Sequence, residues 1–431
     1  MDCYARMLAA LKRSPAMERF TYLYGHREGE LARQLTRYSR LVKAHEDYFH
    51  ANDAPVYLVS APGRTEIIGN HTDHNNGRVL AAAVNLDTLA CVTPRKDDQV
   101  CIHSEGYPVI ALSLNDLEKR AEEEGTSAAL VRGVASKMKE KGFKIGGFDA
   151  AVTSDVLGGS GLSSSAAYEV LICAIFDALY NGFTVDAVTR AQISQYAENV
   201  YFGKPSGLMD QMASSTGGMV TIDFKDEPKV QPLSFGFHEA GYSLVIVNTG
   251  SSHDNLTAEY AAVRSEMQDV ARFFGEEVLR RVRPEQVTQN MGAIREKTGE
   301  RALLRALHFY NENERVKQMV HAIRMSDLGS MFEQIIGSGE SSWMLLQNVY
   351  PAGTHQPLSL ALAIASSMLK GKGAWRVHGG GFAGTTLNFV PNDMVKDFVS
   401  RMESVFGENS CFVLDVRPEG AAVVFSTENL Q

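Results

Sequence analysis

The sequence predicts a mixed α/β fold, and three observations support this prediction. From about residue 56 onward, segments with the apolar pattern of strands alternate with segments whose apolar residues have helical spacing. The chain has 431 residues and is 44% hydrophobic, enough to bury large cores in two or three domains. No internal repeat interrupts this order. A mixed sheet covered by helices fits it better than a helical bundle or an all-β sandwich.

The first predicted elements are a helical extension and two strands. Residues 28–50 have a helical pattern, and residues 1–50 form a predicted N-terminal helical extension. Residues 56–60 (VYLVS) and 79–92 (VLAAAVNLDTLACV) are predicted strands, and the second follows a loop rich in Asn, Asp and Gly.

The next predicted element is a long helix over residues 165–182. Its apolar residues have helical spacing, no proline interrupts it, and a glycine stands at its end. Tyr168, Leu171 and Ile175 are expected to face the core.

A change of composition at 225–241, with two prolines, several charges and turn-forming glycines, predicts a domain boundary. The predicted domains are therefore 51–235 and 236–431. The second begins with the strand SLVIV and continues with a helix-rich stretch over 255–330. Its last part is predicted as two strands in GAWRVHGGGFAGTTLNFV, a helix from about Asp393, and the strands SCFVLDV and AAVVFS.

Charge and cysteine content exclude several classes of protein. The formal net charge is -9 without long blocks of one sign, which argues against nucleic acid or an anionic membrane as the partner. No apolar run reaches the ~20 residues of a membrane span, and no signal-peptide pattern opens the sequence, so we expect a cytoplasmic protein. Five separated cysteines without a C-x-x-C pair predict neither a disulfide framework nor a zinc site.

A glycine- and serine-rich segment stands directly before the predicted long helix. Its glycines allow a phosphate to approach the backbone closely, and the first N–H groups of a helix point at such an anion. No Lys-Ser or Lys-Thr follows the last glycine, so this is not a Walker-type loop. A helix cap alone would need one serine, whereas three follow the glycines. The predicted ATP-binding residues are Gly158, Gly159, Ser160, Gly161, Leu162, Ser163, Ser164, Ser165 and Ala166.

This segment, GGSGLSSSAA, resembles the phosphate-binding segment of the GHMP kinases, and three other segments follow the order of the galactokinase family. APGRTEIIGNHTDHNNG (61–77) is similar to the galactokinase signature, QYAENVYFGKPSGLMDQMASSTGG (195–218) to the stretch with the catalytic aspartate, and HGGGFAGTTLNF (378–389) to the C-terminal glycine-rich segment. The resemblance implies a two-domain GHMP kinase fold. Its N-terminal domain would be ribosomal-protein-S5-like, its C-terminal domain ferredoxin-like, and the active site would lie between them.

The resemblance also implies which residues act on phosphate. Asp210 matches the catalytic aspartate, and a carboxylate there can orient the sugar hydroxyl and accept its proton. Arg64 matches the arginine near this aspartate and the γ-phosphate, where a guanidinium would also keep Asp210 ionised. Glu198 matches the acidic Mg²⁺ ligand, with Ser164 or Ser165 as its hydroxyl partner. ATP and Mg²⁺ are thus the implied cofactors.

The implied sugar-binding residues lie mainly in the signature. Asp73 would accept hydrogen bonds from two sugar hydroxyls, because a carboxylate accepts several at fixed angles. His71 and His74 have the spacing of helical neighbours, but their loop context and the lack of a third ligand argue against a metal site. The full implied set is Glu66, Asn70, His71, Asp73, Gly207 and Tyr260.

Three positions differ from the family signature, and one of them is His74, where the family usually has tyrosine. Galactokinases usually have Arg-x-Asn followed by Gly-Glu-His. In this chain Glu66 stands in place of the Asn and Asn70 in place of the Glu, so that an acid and an amide have exchanged positions. In the family the glutamate beside the histidine contacts the sugar, so the exchange replaces a charged acceptor by an amide. Because hydrogen bonds to charged groups contribute about 1.5–3 kcal/mol, the exchange bears on the choice of sugar.

The C-terminal glycine loop of the family corresponds to Gly379, Gly380 and Gly381. The letters Gly379-x-Gly381-x-x-Gly384 also fit a dinucleotide-binding fingerprint, but that fingerprint must open a helix, and TTLNFV is strand-like. A plain hairpin loop is the remaining alternative.

These observations predict an ATP-dependent kinase that converts galactose to galactose 1-phosphate. The alternatives are a kinase for a related sugar such as N-acetylgalactosamine, or a catalytically silent, galactokinase-like sugar sensor. The expected partners are a sugar and ATP, without nucleic acid or membrane. We expect a monomer, with oligomers left open.

Overall fold

The structure is a computed structural model that describes residues 2–25, 27–51, 53–156, 161–250, 256–349, 354–382 and 384–429. Its strands form two sheets. The strands are β1 (Tyr57–Ile68), β2 (Arg78–Pro94), β3 (Gln99–Ser104), β4 (Ile110–Ser113), β5 (Phe148–Ser154), β6 (Met219–Asp223), β7 (Lys229–Leu233), β8 (Tyr242–Asn248), β9 (Ala374–His378), β10 (Thr385–Pro391), β11 (Cys411–Leu414) and β12 (Ala422–Ser426).

Helices cover both sheets, and the three-residue 3₁₀ turns and two short π-helical segments between them carry no label here. The helices are α1 (Cys3–Ala10), α2 (Ser14–Tyr24), α3 (Glu30–Phe49), α4 (Ser127–Glu140), α5 (Ser164–Tyr180), α6 (Ala187–Tyr196), α7 (Met209–Thr216), α8 (Thr257–Phe273), α9 (Pro284–Gln289), α10 (Met291–Thr298), α11 (Glu300–Arg324), α12 (Leu328–Ser341), α13 (Pro357–Leu369) and α14 (Val395–Phe406).

The first sheet has the order β12-β1-β2-β5-β3-β4, and β6 and β7 extend it from β2. Successive side chains of a strand point to opposite faces, and the apolar residues of β1 follow this rule. Leu58 packs against the helices α1 to α3, whereas Val59 packs on the other face against α4 and α5. The sheet is therefore the middle of three layers, which explains why all twelve residues of β1 are buried.

The second sheet has the order β11-β8-β10-β9, and all its strand pairs are antiparallel. One face joins a core that it shares with α11, α12 and the inner ends of β1 and β2, including Ile67 and Leu80. The other face packs against α13 and α14 through residues such as Val245 and Val390. The shared core fixes the second sheet against the part of β1 that carries the signature residues.

Most predicted elements are confirmed, with longer strands than expected. The predicted helix 165–182 is α5, in which Leu171 and Ile175 are fully buried and Tyr168 is partly buried. The strand-loop-strand prediction around the C-terminal glycines is confirmed by β9 and β10, which pair antiparallel. The predicted 56–60 strand is too short, because β1 continues through the signature to Ile68.

The C-terminal strand β12 belongs to the first sheet, where it pairs antiparallel with β1. The predicted C-terminal range 236–431 therefore contributes strands to both sheets. The exact domain boundaries, at 50/51 and 235/236, remain predictions. Among the described residues, no helix combines the length and the apolar character needed to cross a bilayer.

Candidate active site

The site begins where β1 approaches the start of α5. The backbone N–H of Arg64 donates to the carbonyl oxygen of Leu162 at 3.0 Å, and its side chain donates to the carbonyl oxygen of Gly161 at 2.5 Å. Gly63 allows this approach, because a Cβ there would lie 2.9 Å from the Leu162 oxygen. Gly63 therefore has a packing role, because it lets Arg64 approach the predicted phosphate segment.

Arg64 holds Asp210, which lies in the first turn of α7. Two parallel hydrogen bonds join the side chains, from Arg64 Nε to Oδ1 at 2.6 Å and from Nη2 to Oδ2 at 2.8 Å. The Ser163 hydroxyl donates to Asp210 Oδ2 at 2.5 Å. The predicted phosphate segment, Arg64 and Asp210 therefore meet at one point, although they are far apart in sequence.

The environment of Asp210 keeps it ionised while leaving it accessible. Burial raises the pKa of this carboxyl group, but Arg64, Ser163 and Lys204 outweigh burial, so that the net pKa lies below its ordinary value. The Asp210 side chain is 27% exposed, compared with 9% for Arg64. The carboxylate can therefore contact a substrate while the guanidinium fixes its orientation.

The start of α5 forms one end of a cavity of about 270 Å³. Ser163 has a left-handed backbone (φ 63°) immediately before the helix, and Ser164 and Ser165 line the cavity from its first turn. Leu162 and Ala166 are buried. The predicted residues Gly158, Gly159 and Ser160 lie outside the described residues. Tyr168 of α5 also lines it, and the rest of the cavity wall comes from β2, β5, the α4 region and the segment after β3, including Thr88, Glu105, Tyr107, Ser127 and Thr153.

The predicted magnesium ligand Glu198 lies next to this helix start, and it is only 2% exposed. Both carboxylate oxygens accept hydrogen bonds: Oε1 from Ser165 Oγ (2.9 Å) and Lys204 Nζ (3.0 Å), and Oε2 from Ser206 Oγ (2.6 Å) and Gln211 Nε2 (2.8 Å). In the described part of the chain, no group of three His, Cys, Asp or Glu side chains is placed to hold a metal. A hydroxyl and a carboxylate are oxygen ligands of the kind that Mg²⁺ takes together with phosphates, and the assignment of Ser165 and Glu198 to the ion remains a prediction.

Asp73 and Gly207 are in direct contact, and Asp73 lies close enough to Asp210 to feel its charge. A Cβ at position 207 would lie 1.8 Å from Asp73 Oδ2, so only glycine fits beside this carboxylate. Burial, and after it the nearby charge of Asp210, raise the pKa of Asp73 to about 6. Two carboxylates with different pKa values thus share one site.

His71 and Tyr260 contact the C-terminal glycine loop, which we define as residues 379–381. His71 Nε2 lies 2.9 Å from the carbonyl oxygen of Gly380, and the Tyr260 hydroxyl donates to that of Gly381 at 2.7 Å. Burial lowers the pKa of His71, so it is neutral at pH 7 and its Nε2 carries the proton for this bond. Both predicted sugar-binding residues therefore also position the glycine loop.

Glu66 and Asn70, the exchanged pair, lie in the protein interior. Asn70 Nδ2 donates to Glu66 Oε1 at 3.0 Å, and Arg376 Nη2 donates to the same oxygen at 2.6 Å. Asn70 is fully buried and Glu66 is 4% exposed. A direct sugar contact through either residue remains a prediction.

Several residues of the site were not predicted from the sequence. They are Lys204 and Gln211 beside Glu198, Arg376 beside Glu66, Asn348 beside Asn70, and His378. His378 Nδ1 lies 3.0 Å from Thr385 Oγ1, and its Nε2 accepts from the Thr65 hydroxyl at 3.0 Å. Gln211 and His378 stand next to predicted residues in the sequence, which could have marked them. Lys204 lies six residues after Glu198, within the stretch 195–218, whereas Arg376 and Asn348 become neighbours of Glu66 and Asn70 only in the folded chain.

Comparison with known proteins agrees with this geometry. The family described as "Galactokinase galactose-binding signature" matches residues 43–94, and the family "GHMP kinases N terminal domain" matches residues 129–218. The first match contains Arg64 and Asp73, and the second contains Ser163, Glu198 and Asp210.

Individual relatives extend the similarity over most of the chain. A galactokinase of Actinobacillus pleuropneumoniae serotype 5b is 34% identical over 359 residues, which are 80% of this chain and 88% of the relative. The galactokinase of Homo sapiens is 32% identical over 86% of this chain and 93% of its own.

Solved structures lead to the same family. The Lactococcus lactis galactokinase, solved with galactose, superimposes with a TM-score of 0.77 at 25% identity, covering 88% of this chain and 98% of its own. The mevalonate kinase of Methanococcus jannaschii shares the fold with a TM-score of 0.61 at 14% identity, covering 83% of this chain and 98% of its own. By its sequence similarity along most of its length, the chain belongs to the galactokinase family of the GHMP kinases.

Proposed function

We propose that this chain is an ATP-dependent sugar kinase that transfers the γ-phosphoryl group of ATP to a sugar hydroxyl, with galactose as the first candidate and galactose 1-phosphate as the product. The proposal rests mainly on the contacts among Ser163, Arg64 and Asp210. Ser163 Oγ lies 2.5 Å from Asp210 Oδ2, and Arg64 donates two hydrogen bonds to the same carboxylate. It places a helix start suited to phosphate beside a carboxylate suited to a hydroxyl. The galactokinase relatives support the sugar as acceptor.

In the proposed reaction, the sugar hydroxyl attacks the γ-phosphorus directly. Its oxygen forms the new P–O bond while the bond to the β–γ bridging oxygen breaks, and the hydroxyl proton passes to Asp210. Arg64 keeps Asp210 ionised and lies where it can stabilise charge on the transferring group. Asp73 would accept hydrogen bonds from other sugar hydroxyls and fix the acceptor in line. No covalent enzyme intermediate is needed.

We assign the bound Mg²⁺ to Glu198 and the serines Ser164 and Ser165. When bound, the ion would neutralise charge on the β- and γ-phosphates. Lys204 now donates to Glu198 Oε1 at 3.0 Å, and its own charge lies near Asp210 as well.

The exchange of Glu66 and Asn70 supports a second candidate acceptor, a related sugar such as N-acetylgalactosamine. A panel of sugars, with release of ADP as the readout, separates the two. Turnover of galactose above the other sugars supports the first candidate. Turnover of another sugar, with galactose inert, would keep the assignment as a sugar kinase and replace galactose as the proposed acceptor. Nucleotide binding without turnover of any sugar would favour a silent sensor.

The role of Asp210 is tested by Asp210→Asn, which removes the charge but keeps the shape. We expect kcat to fall about 10²–10⁴-fold, because proton acceptance by a positioned group contributes that much. The thermal stabilisation by ATP should remain, since no residue of the phosphate segment is substituted and the Asn amide oxygen can still accept the Ser163 hydrogen bond.

Asp269→Asn is the matched control for this variant. Asp269 lies on α8 with a half-exposed side chain paired to Arg272, away from the residues of the site. It should retain the wild-type rate. A wild-type rate in Asp210→Asn as well would remove Asp210 from the proposed role.

A further inference from the structure

The glycine loop, residues 379–381, is held by a donor at each of its three carbonyl groups. The four donors come from three places in the sequence, and two of the donors, Asn70 and His71, lie in the signature. The bonds are Asn70 Nδ2 to Gly379 O (2.6 Å), His71 Nε2 and Asn348 Nδ2 to Gly380 O (2.9 and 3.1 Å), and the Tyr260 hydroxyl to Gly381 O (2.7 Å). The conformation of the loop therefore depends on the segment that begins the sugar signature.

Asn70 has no hydrogen-bonding capacity left for a ligand. Its two N–H groups donate to Glu66 Oε1 and Gly379 O, and its Oδ1 accepts from Asn348 Nδ2 at 2.8 Å and from Ser342 Oγ at 3.3 Å. A side-chain amide offers two donors and two lone pairs, and all four are used here. The side chain is also 0% exposed. The orientation of the amide is fixed, because a carboxylate and a carbonyl oxygen both require its nitrogen.

The acid at position 66 completes this arrangement. Glu66 forms a buried ion pair with Arg376, whose side chain is fully buried. An acid at position 70 would provide no donor for Gly379 and would face the Glu66 carboxylate across the distance of 3.0 Å that now separates Asn70 Nδ2 from Glu66 Oε1. The amide at 70 and the acid at 66 therefore depend on each other.

Tyr260, one of the predicted sugar-binding residues, packs on the glycine loop. A Cβ at Gly380 would lie 2.7 Å from Tyr260 Cε1, so the ring packs directly on the loop backbone. His71, which also bonds this loop, stands two residues before Asp73. A shift of the loop would therefore move His71 and Tyr260, two residues of the predicted sugar-binding set.

We propose that Asn70 is a positioning residue: together with Asn348 it holds the glycine loop, and through the loop, without touching the sugar, it determines which sugar the pocket accepts. The proposal rests on the sugar kinase activity proposed above. In this proposal the exchanged acid and amide, Glu66 and Asn70, act from inside the protein, and Asn348 also contributes to substrate choice.

The test is a double-mutant cycle of Asn70→Ala and Asn348→Ala, with kcat/KM measured for the two best sugars of the panel. The readout is the ratio of the two kcat/KM values, because the amount of active enzyme cancels in it and a loss of stability alone cannot change it. We expect each single variant to change this ratio about 3-fold or more in the same direction. The double variant should change it by less than the product of the two, since the residues act through one contact.

Asn392→Ala is the control, since Asn392 also makes hydrogen bonds through both ends of its amide, to Ser243 and His238, outside this network. Its ratio should equal that of the wild type. If an alanine variant does not fold, Asn70→Ser and Asn348→Ser keep a hydroxyl donor and repeat the measurement.

Two outcomes would overturn the proposal. A changed ratio in the Asn70 variants with a wild-type ratio in the Asn348 variants would mean that residue 70 touches the sugar directly. A wild-type ratio in all variants would separate the loop from sugar choice. Absence of turnover with every sugar in the wild-type enzyme would instead reject the proposed function itself.

Discussion

At the scale of single residues, Asp73 carries the clearest pH dependence. Burial, followed by the charge of Asp210, raises its pKa to about 6, whereas the pKa of Asp210 is lowered. Below pH 6 Asp73 is therefore protonated and loses part of its capacity to accept sugar hydroxyls. We expect KM for the sugar to fall as the pH rises through about 6, by about tenfold per unit on the acid side if only the ionised form binds.

The variant Asp73→Asn is the control for this titration. It should show a higher KM for the sugar without the inflection near the pKa of Asp73. An unchanged inflection in the variant would assign the titration to another group. The measurement is initial rate against sugar concentration at pH 5 to 8 with saturating ATP.

The sequence predicted that three residues of the site lie together, whereas it could not predict the surroundings of Asn70. Ser163, Arg64 and Asp210 were predicted as one centre, and the structure brings them into contact. Asn70 was predicted on the basis of its neighbours in the motif, but its surroundings depend on Asn348, which is 278 residues away. Contacts across such separations follow from packing and leave no local pattern.

At the scale of elements, the helix α3 is anchored to the first sheet by a buried charge cluster around Asp87. Arg37 of α3 donates to Asp87 Oδ1 at 2.6 Å, while Arg417 and Tyr24 donate to Oδ2 at 2.9 and 2.6 Å. Burial raises the pKa of Asp87, but Arg37 and Arg417 outweigh it and lower the pKa to about 2. The resulting stabilisation is present above the ordinary pKa of 3.8 and is lost as the pH falls towards 2.

Removing Arg37 should therefore destabilise the protein strongly. We expect Arg37→Ala to lower the free energy of unfolding by roughly 3 kcal/mol, because it leaves a buried carboxylate with one cation fewer. The measurement is urea unfolding followed by circular dichroism at pH 7.

Arg40→Ala is the matched control on the same helix. Arg40 pairs with Glu105 at 3.0 Å, but the two side chains are 63% and 60% exposed. Such a pair contributes about 0–1 kcal/mol. Equal losses in both variants would contradict the assignment of the anchoring energy to the buried cluster.

Helices and strands were predicted well where the spacing of apolar residues was regular. They were predicted less well where a local turn signal conflicted with strand pairing. The helix α5 was found almost to the residue because its apolar spacing is regular. In β1, Pro62 and Gly63 suggest a turn, yet the strand continues through them with a shift of register between Pro62 and Arg64. A bulge accommodates a proline inside a strand, and pairing with β2 on one side and β12 on the other outweighs the local preference.

At the scale of the whole molecule, β12 connects the end of the chain to the strand that carries Arg64. It pairs with β1 from Tyr57 to Ser60, and Thr427 exchanges hydrogen bonds of 2.9 Å with Val56. A truncation that removes residues 421–431 leaves this edge of β1 unpaired and uncovers part of its core. We expect this variant to be unfolded at 37 °C and to show no cooperative transition when it is heated. The measurement is circular dichroism during heating.

A shorter truncation is the control. Removing residues 429–431 keeps β12 and the contact between Tyr57 and Glu428. It should unfold like the full chain. Cooperative unfolding of the longer truncation at the wild-type temperature would mean that β12 is dispensable for the first sheet.

The return of β12 also has a consequence for biosynthesis. A ribosome that adds about 5–20 residues per second needs roughly 20–70 s between the end of β1 and the appearance of β12. During that time one edge of β1 has no partner, and an unpaired apolar edge can recruit a strand from another nascent chain. The first sheet therefore stays incomplete until β12 has been translated, and the yield of the protein in cells should depend on protection of that edge until then.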